Sequence, residues 1–285
     1  MNDAVIVSGA RTPVGRFGGA FKDVSAPDLG AIAIKAAIER AGISPDMVDE
    51  VVLGNAIQAA EAGYAARLAS LKSGIPHETP TIAVNRQCSS GLEAINMAAQ
   101  LVRTGEAEIV VAGGTENMSQ VPFLIEYRAR FDGLRMGNSQ LVDGLTEGLG
   151  CPVNRYHMGV TAENVAERFS VSRSDQDELA LISHHRASSA ITQGRFSDQI
   201  TEVSVPQRRG DAVIITEDEG PRADTTIEGL ANLRPVFKKD GTVTAGNASS
   251  INDGSAAIVM LSLIHISEPT RPRLISYAVF CMKKK

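Results

Sequence analysis

The sharpest chemical signal in this chain is a cysteine. Cys88 lies in NRQCSSGLEAI (Asn85 to Ile95), between the strand-like run TIAV and what reads as the start of a helix. A thiol at a strand-to-helix junction sits beside unpaired helix N–H groups, where the helix dipole favours an anion such as a thiolate. Ser89 or Ser90 is placed to cap that helix, and Gly91 permits close backbone approach. The backbone N–H of Cys88 is placed to face an oxyanion on an acyl group carried by its sulfur. This is the setting of a nucleophile primed by a helix end, although the local pattern fits a small core residue ahead of a helix equally well. The other polar candidates are weaker alone. His157 of YHMG reads as a structural histidine and Arg222 of GPRADTT as a solvated surface charge, while His184 and His185, in the middle of an acidic helix, read as solvated or half-buried. His77, in a loop beside Pro76, has no chemical company.

The elements that must position Cys88 alternate between strand and helix. Ala4 to Val7 is β-rich, and a glycine-containing loop follows it. Pro27 to Ala41 has helical spacing, with Gly42 as its C-cap. Ser44-Pro45 reads as a helix start, and Glu50 to Leu53 as the next strand. Ala65 to Ser73 is a second helix, and Thr81 to Val84 a third strand. Ser90 to Arg103 carries Leu92, Ile95, Ala99 and Val102 on one face, and Ile109 to Ala112 follows as strand. This order predicts an α/β fold with a parallel or mixed sheet between helices. The rhythm changes after Ser119, where Gly, Asn and isolated charges suggest a long excursion. Thr161 to Phe169 and Ser174 to Thr192 are helical, the second opening on the capped acidic turn SRSDQDE. Val213 to Ile215 is a short β segment. Residues 121–248 therefore read as an inserted loop subdomain, after which Ala256 to Leu261 returns as a strand to the first sheet.

Composition limits the function classes. The 285 residues are 43% apolar and 21% charged, with no Trp and a formal charge of −5, which predicts a folded domain with a substantial core. That balance argues against nucleic acid as a partner. No apolar run approaches the roughly 20 residues a membrane helix needs, and the first residues lack the basic start of a secretory signal, so no membrane association and a cytoplasmic location are expected. Cys88, Cys151 and Cys281 are distant and lack CxxC spacing, so neither a disulfide framework nor a metal site is expected.

Beyond the cysteine turn, the sequence resembles the thiolase family almost without gaps from Val5 to Leu261. VSGARTPVGRFGGAF, NRQCSSGLEAI, VAGGTENMS, YHMGVTAENVA and LRPVFKKDGTVTAGNASSINDGSAA follow one another in thiolase order. The resemblance implies a layered αβα thiolase half, here residues 1–262. It implies an acyltransferase of class EC 2.3.1, working in thiolysis as in fatty-acid β-oxidation or in Claisen condensation. Cys88 then takes the acyl group of a β-ketoacyl-CoA as a thioester and passes it to CoA. His157 and Met158 match the pair beside the pantetheine arm, and Arg222 a residue at the nucleotide end of CoA. Ser249 matches a serine near the pantetheine, and Phe237 and Ala245 line the same slot. Ser250 stands where the family usually has Gly. Gly113 and Gly114 serve packing beneath the site. No tightly bound cofactor is implied, with coenzyme A as substrate, and the full-length parent is expected to be a homodimer or homotetramer.

The family's second half brings an NEAF-like segment, a GHP segment whose histidine activates the nucleophile, and a CxG segment whose cysteine moves the α-proton. None of these occurs in the 285 residues. The expectation is therefore a truncated, impaired form lacking the C-terminal domain, with residues 263–285, LIHISEPTRP onward, as a non-native tail. His265 and Cys281 lack the neighbours needed to stand in for the missing groups. A helix dipole supplies about 0.3–1 kcal/mol, too little to replace a general base contributing about 10²–10⁴ in rate. Two alternatives are a non-catalytic CoA-binding or dimerisation module and a relative of the β-ketoacyl synthases.

Overall fold

A computed structural model describes residues 3–263 apart from 135 and 137. The expected tail beyond 263, with His265 and Cys281, lies outside the described residues. Among the described residues the chain forms two compact units, one of residues 3–120, 197–219 and 252–263, the other of residues 121–196 and 220–251. The excursion after Ser119 is thus not one insertion. Residues 197–219 return to the first unit because Val203 and Val205 bury against Phe21, Val24 and Leu29.

Among the described residues the first unit is built on a six-stranded sheet, in which the short strand Gly15–Arg16 pairs with the start of the last of five longer strands. These are β1 (Ala4–Arg11), β2 (Glu50–Gly54), β3 (Thr81–Val84), β4 (Ile109–Asn117) and β5 (Asn252–Ser262), in the spatial order β1-β5-β4-β2-β3. β2 runs parallel to both β3 and β4, whereas β5 is antiparallel to β1 and β4, so the sheet is mixed, as the alternation of elements predicts. Period-two patterning separates two cores. Val51, Leu53, Val111, Val259 and Leu261 face helices α1 (Ala26–Ala41) and α2 (Ala65–Lys72). Val52, Val110, Ala112 and Met260 face α3 (Ser90–Thr104). The αβα layering follows directly.

Local signals set the helix ends. Ser25 caps α1 by accepting from the Asp28 N–H, and Gly42 closes it at φ 68°, in the left-handed region that glycine tolerates. Gly105 closes α3 at φ 77°. The buried stripe of α3 differs from the expected one. It consists of Ala94, Ala98 and Val102, with Ile95 and Ala99 partly buried and Leu92 exposed. Small side chains face the sheet here because this helix packs close to it.

The second unit carries helices α4 (Met158–Phe169), α5 (Arg173–Thr192) and α6 (Ile227–Ala231), with short two-stranded pairings between 123–124 and 142–143 and between 150–151 and 156–157. The capped acidic turn read in SRSDQDE is a full capping box at the start of α5, in which Ser172 and Asp175 satisfy each other's backbone N–H. No helix of the described residues is long and apolar enough to cross a membrane.

Candidate active site

Cys88 lies in the turn between β3 and α3 and is exposed. The turn is built by its neighbours. The Asn85 side chain accepts from the Gln87 N–H at 3.1 Å and donates to the Ala56 carbonyl at 2.9 Å. Gln87, one residue before the cysteine, is held at φ 51°, an uncommon conformation for a residue other than glycine. Ser90 is buried, accepts from the Arg86 N–H at 2.9 Å and donates to the Gln87 carbonyl at 2.5 Å. Arg86 pairs with Glu93 at 2.5 Å across the outside of the turn.

The serines do not cap the helix. Ser89, at the N-cap position, makes no side-chain cap bond, and Ser90 uses its hydroxyl to tie the turn. The corrected reading leaves the positive end of α3 open beside the thiol. A serine that capped the helix would itself have occupied those donors.

Glycines let α3 approach the sheet so closely. A Cβ at Gly54 would lie 2.5 Å from the Ser90 carbonyl carbon and 2.6 Å from the Gly91 nitrogen, so the last residue of β2 must be glycine for the helix to start where it does. A Cβ at Gly114 would lie 3.2 Å from the Gly54 carbonyl oxygen and 3.6 Å from the Gly91 Cα, whereas at Gly113 the crowding comes from the backbone of the neighbouring strand at Ala256 and Ala257. The loop after Gly54 is fastened by Glu116, whose carboxylate accepts from the Ala56 N–H at 2.8 Å and the Asn55 amide at 3.0 Å. Burial pushes the Glu116 carboxyl up, and these donors offset part of that rise. The path Glu116, Ala56, Asn85 therefore runs to the turn before Cys88.

The other expected site residues all lie in the second unit. His157 is the N-cap of α4: its Nδ1 accepts from the Gly159 N–H at 3.0 Å, which puts the ring proton of the neutral imidazole on Nε2. Its ring stacks on Phe237 with centroids 5.0 Å apart and planes 14° from parallel. Gly159 leaves the room Phe237 needs. Met158 is exposed beside them, so three of the expected residues form one surface that is apolar with a polar edge.

Ala245 and Ser249 are exposed on a single loop, and the Ser249 hydroxyl donates a long bond, 3.5 Å, to the Ser250 carbonyl. The loop hangs from Asn247, which donates to Asp177 at 2.8 Å and to the Thr242 carbonyl at 3.1 Å. Asp177 is buried on α5 and also pairs with Arg173 at 2.7 Å. Arg222 lies on a separate exposed turn, and its guanidinium makes no ion pair among the described residues.

Glu163 was not among the expected residues. It is 4% exposed on α4, and its carboxylate accepts from the N–H groups of Thr242 and Val243 and from the Thr242 hydroxyl, all within 2.9–3.1 Å. Burial pushes its carboxyl up, but the donors outweigh burial and hold it below the usual range. This carboxylate fixes the hairpin that carries Phe237 and leads to Ala245. Its signal was in the spacing: Gly159, Glu163 and Ala166 form the buried face of α4, and a charge on such a stripe implies donors waiting for it. Cys151 is half-buried, with its sulfur 3.4 Å from the Asn154 N–H nitrogen. The backbone N–H groups of Asn154 and Val153 hold its thiol below the usual range. Among the described residues no group of three His, Cys, Asp or Glu side chains is placed to hold a metal.

Comparison with known proteins identifies the family. Residues 4–263 match the family model described as "Thiolase, N-terminal domain". A protein of Staphylococcus aureus strain N315 named "Probable acetyl-CoA acyltransferase" is 48% identical over 263 residues, covering 92% of this chain and 66% of its own length. The acetyl-CoA acetyltransferase of Pseudomonas aeruginosa is 47% identical over 282 residues, which is 98% of this chain and 71% of that one. Among solved structures, the acetyl-CoA acetyltransferase of Bacillus anthracis superposes with a TM-score of 0.89 at 43% identity, covering 92% of this chain and 66% of that one. The chain thus spans just under two thirds of the length of the Staphylococcus relative and of the Bacillus structure. Because the match runs through the cysteine turn, its glycine floor and the second unit alike, the chain belongs to the thiolase family.

Proposed function

We propose that the chain carries the acyl-accepting part of a thiolase-type acyltransferase acting on β-ketoacyl-CoA and CoA. The observation that carries this reading is Cys88, an exposed sulfur on a braced turn before a helix end that no side chain caps. In the thiolytic direction its thiolate attacks the β-carbonyl carbon of the substrate. The bond between the α and β carbons breaks, and its electron pair leaves with acetyl-CoA, which takes up a proton at the α-carbon. The acyl group stays on the sulfur as a thioester until the thiolate of CoA attacks it and Cys88 is released. The reverse sequence is a Claisen condensation.

The second unit supplies the ligand surface in this reading. His157, Met158 and Phe237 offer an apolar face with a polar edge to the pantetheine amides, with Ala245 and Ser249 beside the same arm. Arg222 offers a guanidinium to the nucleotide phosphates or to the adenine. CoA is a substrate here and no tightly bound cofactor is needed. A cytoplasmic location and assembly as a homodimer or homotetramer belong to the same proposal.

Two measurements test it. Iodoacetamide labelling followed by mass mapping is expected to modify Cys88 faster than Cys151 near neutral pH, because the Cys88 sulfur is exposed and Cys151 is half-buried. Since Asn154 and Val153 favour the Cys151 thiolate, Cys151 is a demanding control. Equal or faster labelling of Cys151 sinks the activated-cysteine reading. Second, the 285-residue polypeptide assayed by itself with acetoacetyl-CoA and CoA is expected to turn over about 10²–10⁴-fold more slowly than a full-length thiolase, the usual contribution of a general base. The GHP and CxG segments do not occur in it. Turnover within a few-fold of a full-length enzyme would falsify this assignment of roles.

A further inference from the structure

Two histidines in the middle of α5 make contacts that their sequence context does not suggest. The Nδ1 atom of His184 accepts from the backbone N–H of Arg222 at 3.2 Å. The Nε2 atom of His185 lies 3.1 Å from the Thr225 carbonyl oxygen. A carbonyl only accepts, so Nε2 of His185 carries its proton, whereas the bond to Nδ1 of His184 requires a lone pair there. Adjacent helix residues point about 100° apart, so both reach the segment from Arg222 to Thr225 only because it is draped across the helix. That segment also closes on itself, with the Thr225 hydroxyl donating to the Arg222 carbonyl at 3.0 Å. The Arg222 guanidinium projects from this pinned turn, exposed and without an ion pair among the described residues.

We propose that His184 and His185 are positioning residues for the phosphorylated adenosine end of a CoA-type ligand, acting through the Arg222 turn. The inference rests on the reading of Arg222 given above and extends it to two residues that touch no substrate. An exposed arginine on a loose turn must lose backbone as well as side-chain freedom when it binds phosphate. On a turn held at both ends it loses less, and the binding constant gains accordingly. The same helix holds the loop of Ala245 and Ser249 through Asp177 and Asn247. Both ligand loops therefore hang from one rigid element.

The test compares equilibrium binding of CoA and of pantetheine, which lacks the nucleotide, to the 285-residue chain. His184→Ala and His185→Ala are each expected to weaken CoA binding about five- to tenfold, the cost of one lost ordering contact, and to leave pantetheine within twofold. His184→Asn keeps an acceptor where Nδ1 was, and His185→Gln keeps a donor where Nε2 was; both are expected to restore CoA affinity. In the Arg222→Ala background, His184→Ala should add nothing further, because its effect passes through Arg222. Equal weakening of CoA and pantetheine, or failure of the Asn and Gln variants to rescue, overturns the positioning role. If Arg222→Ala weakens CoA but the histidine variants do not, this inference fails and the reading of Arg222 stands. If Arg222→Ala has no effect, or the unmodified chain does not bind CoA, the reading beneath it fails as well.

Discussion

Gly54→Ala is expected to destabilise the first unit by about 3 kcal/mol, the upper range for overpacking a site that cannot relax. The new methyl would sit 2.5 Å from the Ser90 carbonyl carbon and 2.6 Å from the Gly91 nitrogen, backbone atoms that have no rotamer to escape into. The start of α3 must therefore move off the sheet. Ala94, Ala98 and Val102 would lose their fit against Val52, Val110 and Ala112. The same shift pulls on Ser90, whose bonds to Arg86 and Gln87 shape the turn that carries Cys88. Two readouts should thus change together, the denaturant midpoint and the rate of Cys88 alkylation. Gly63→Ala is the control, since the nearest atom to its new methyl, leaving out the adjoining residues, would be the Gln58 carbonyl oxygen at 3.9 Å, and it should stay within about 0.5 kcal/mol. A Gly54→Ala protein with an unchanged midpoint and an unchanged Cys88 rate would show that α3 does not depend on this contact.

Glu163→Ala is the second large effect, a loss of about 3–5 kcal/mol from the second unit. The carboxylate is buried, and its removal leaves the N–H groups of Thr242 and Val243 without acceptors; each bond to a charged group is worth about 1.5–3 kcal/mol and each orphaned donor costs about 1–3, with partial overlap. Limited proteolysis should locate the damage in residues 235–250, because the hairpin loses its fastening to α4. A pH series adds an independent check. Burial raises the Glu163 carboxyl, but the donors win and hold its folded-state value below the unfolded one. Its stabilisation is thus fully present above the unfolded carboxylate range, near pH 4.3, and is lost as pH falls through the folded value. Glu163→Gln should flatten that acid limb. If the variant keeps the same acid slope as the parent chain, the carboxylate is not its source.

Much of the fold was legible because its signals are local. Gly42 and Gly105 end their helices through their own left-handed conformation, and Ser172 starts α5 through a residue three positions away. The period-two strands and the returning strand near 256–261 were readable for the same reason. The serines after Cys88 were less so. Sequence spacing suits either one to cap α3, and only the packed turn, with Gln87 at φ 51°, turns the Ser90 hydroxyl back toward residues 86 and 87. The sequence places residues 197–219 in the excursion because nothing in them announces that Asp218 and Glu219 bind the end of β1 and the loop after it. There Asp218 pairs with Arg11 at 2.7 Å and Glu219 accepts from the Arg16 N–H at 2.9 Å.

By itself, the sequence determined the alternation of elements, their caps and a cysteine at a strand-to-helix turn, since each of these depends on neighbours within about four residues. Tertiary structure decided the rest. Strand β5 enters the sheet between β1 and β4, whose residues are more than 130 positions earlier in the chain. Gly54 becomes obligatory only because a helix that starts 36 residues later is laid on it. Glu163, His184 and His185 acquire partners 38 to 80 residues away. The physical reason is the same in each case. A backbone group left without a partner, or a Cβ without room, is defined only when distant segments are brought within a hydrogen bond or a van der Waals contact of each other.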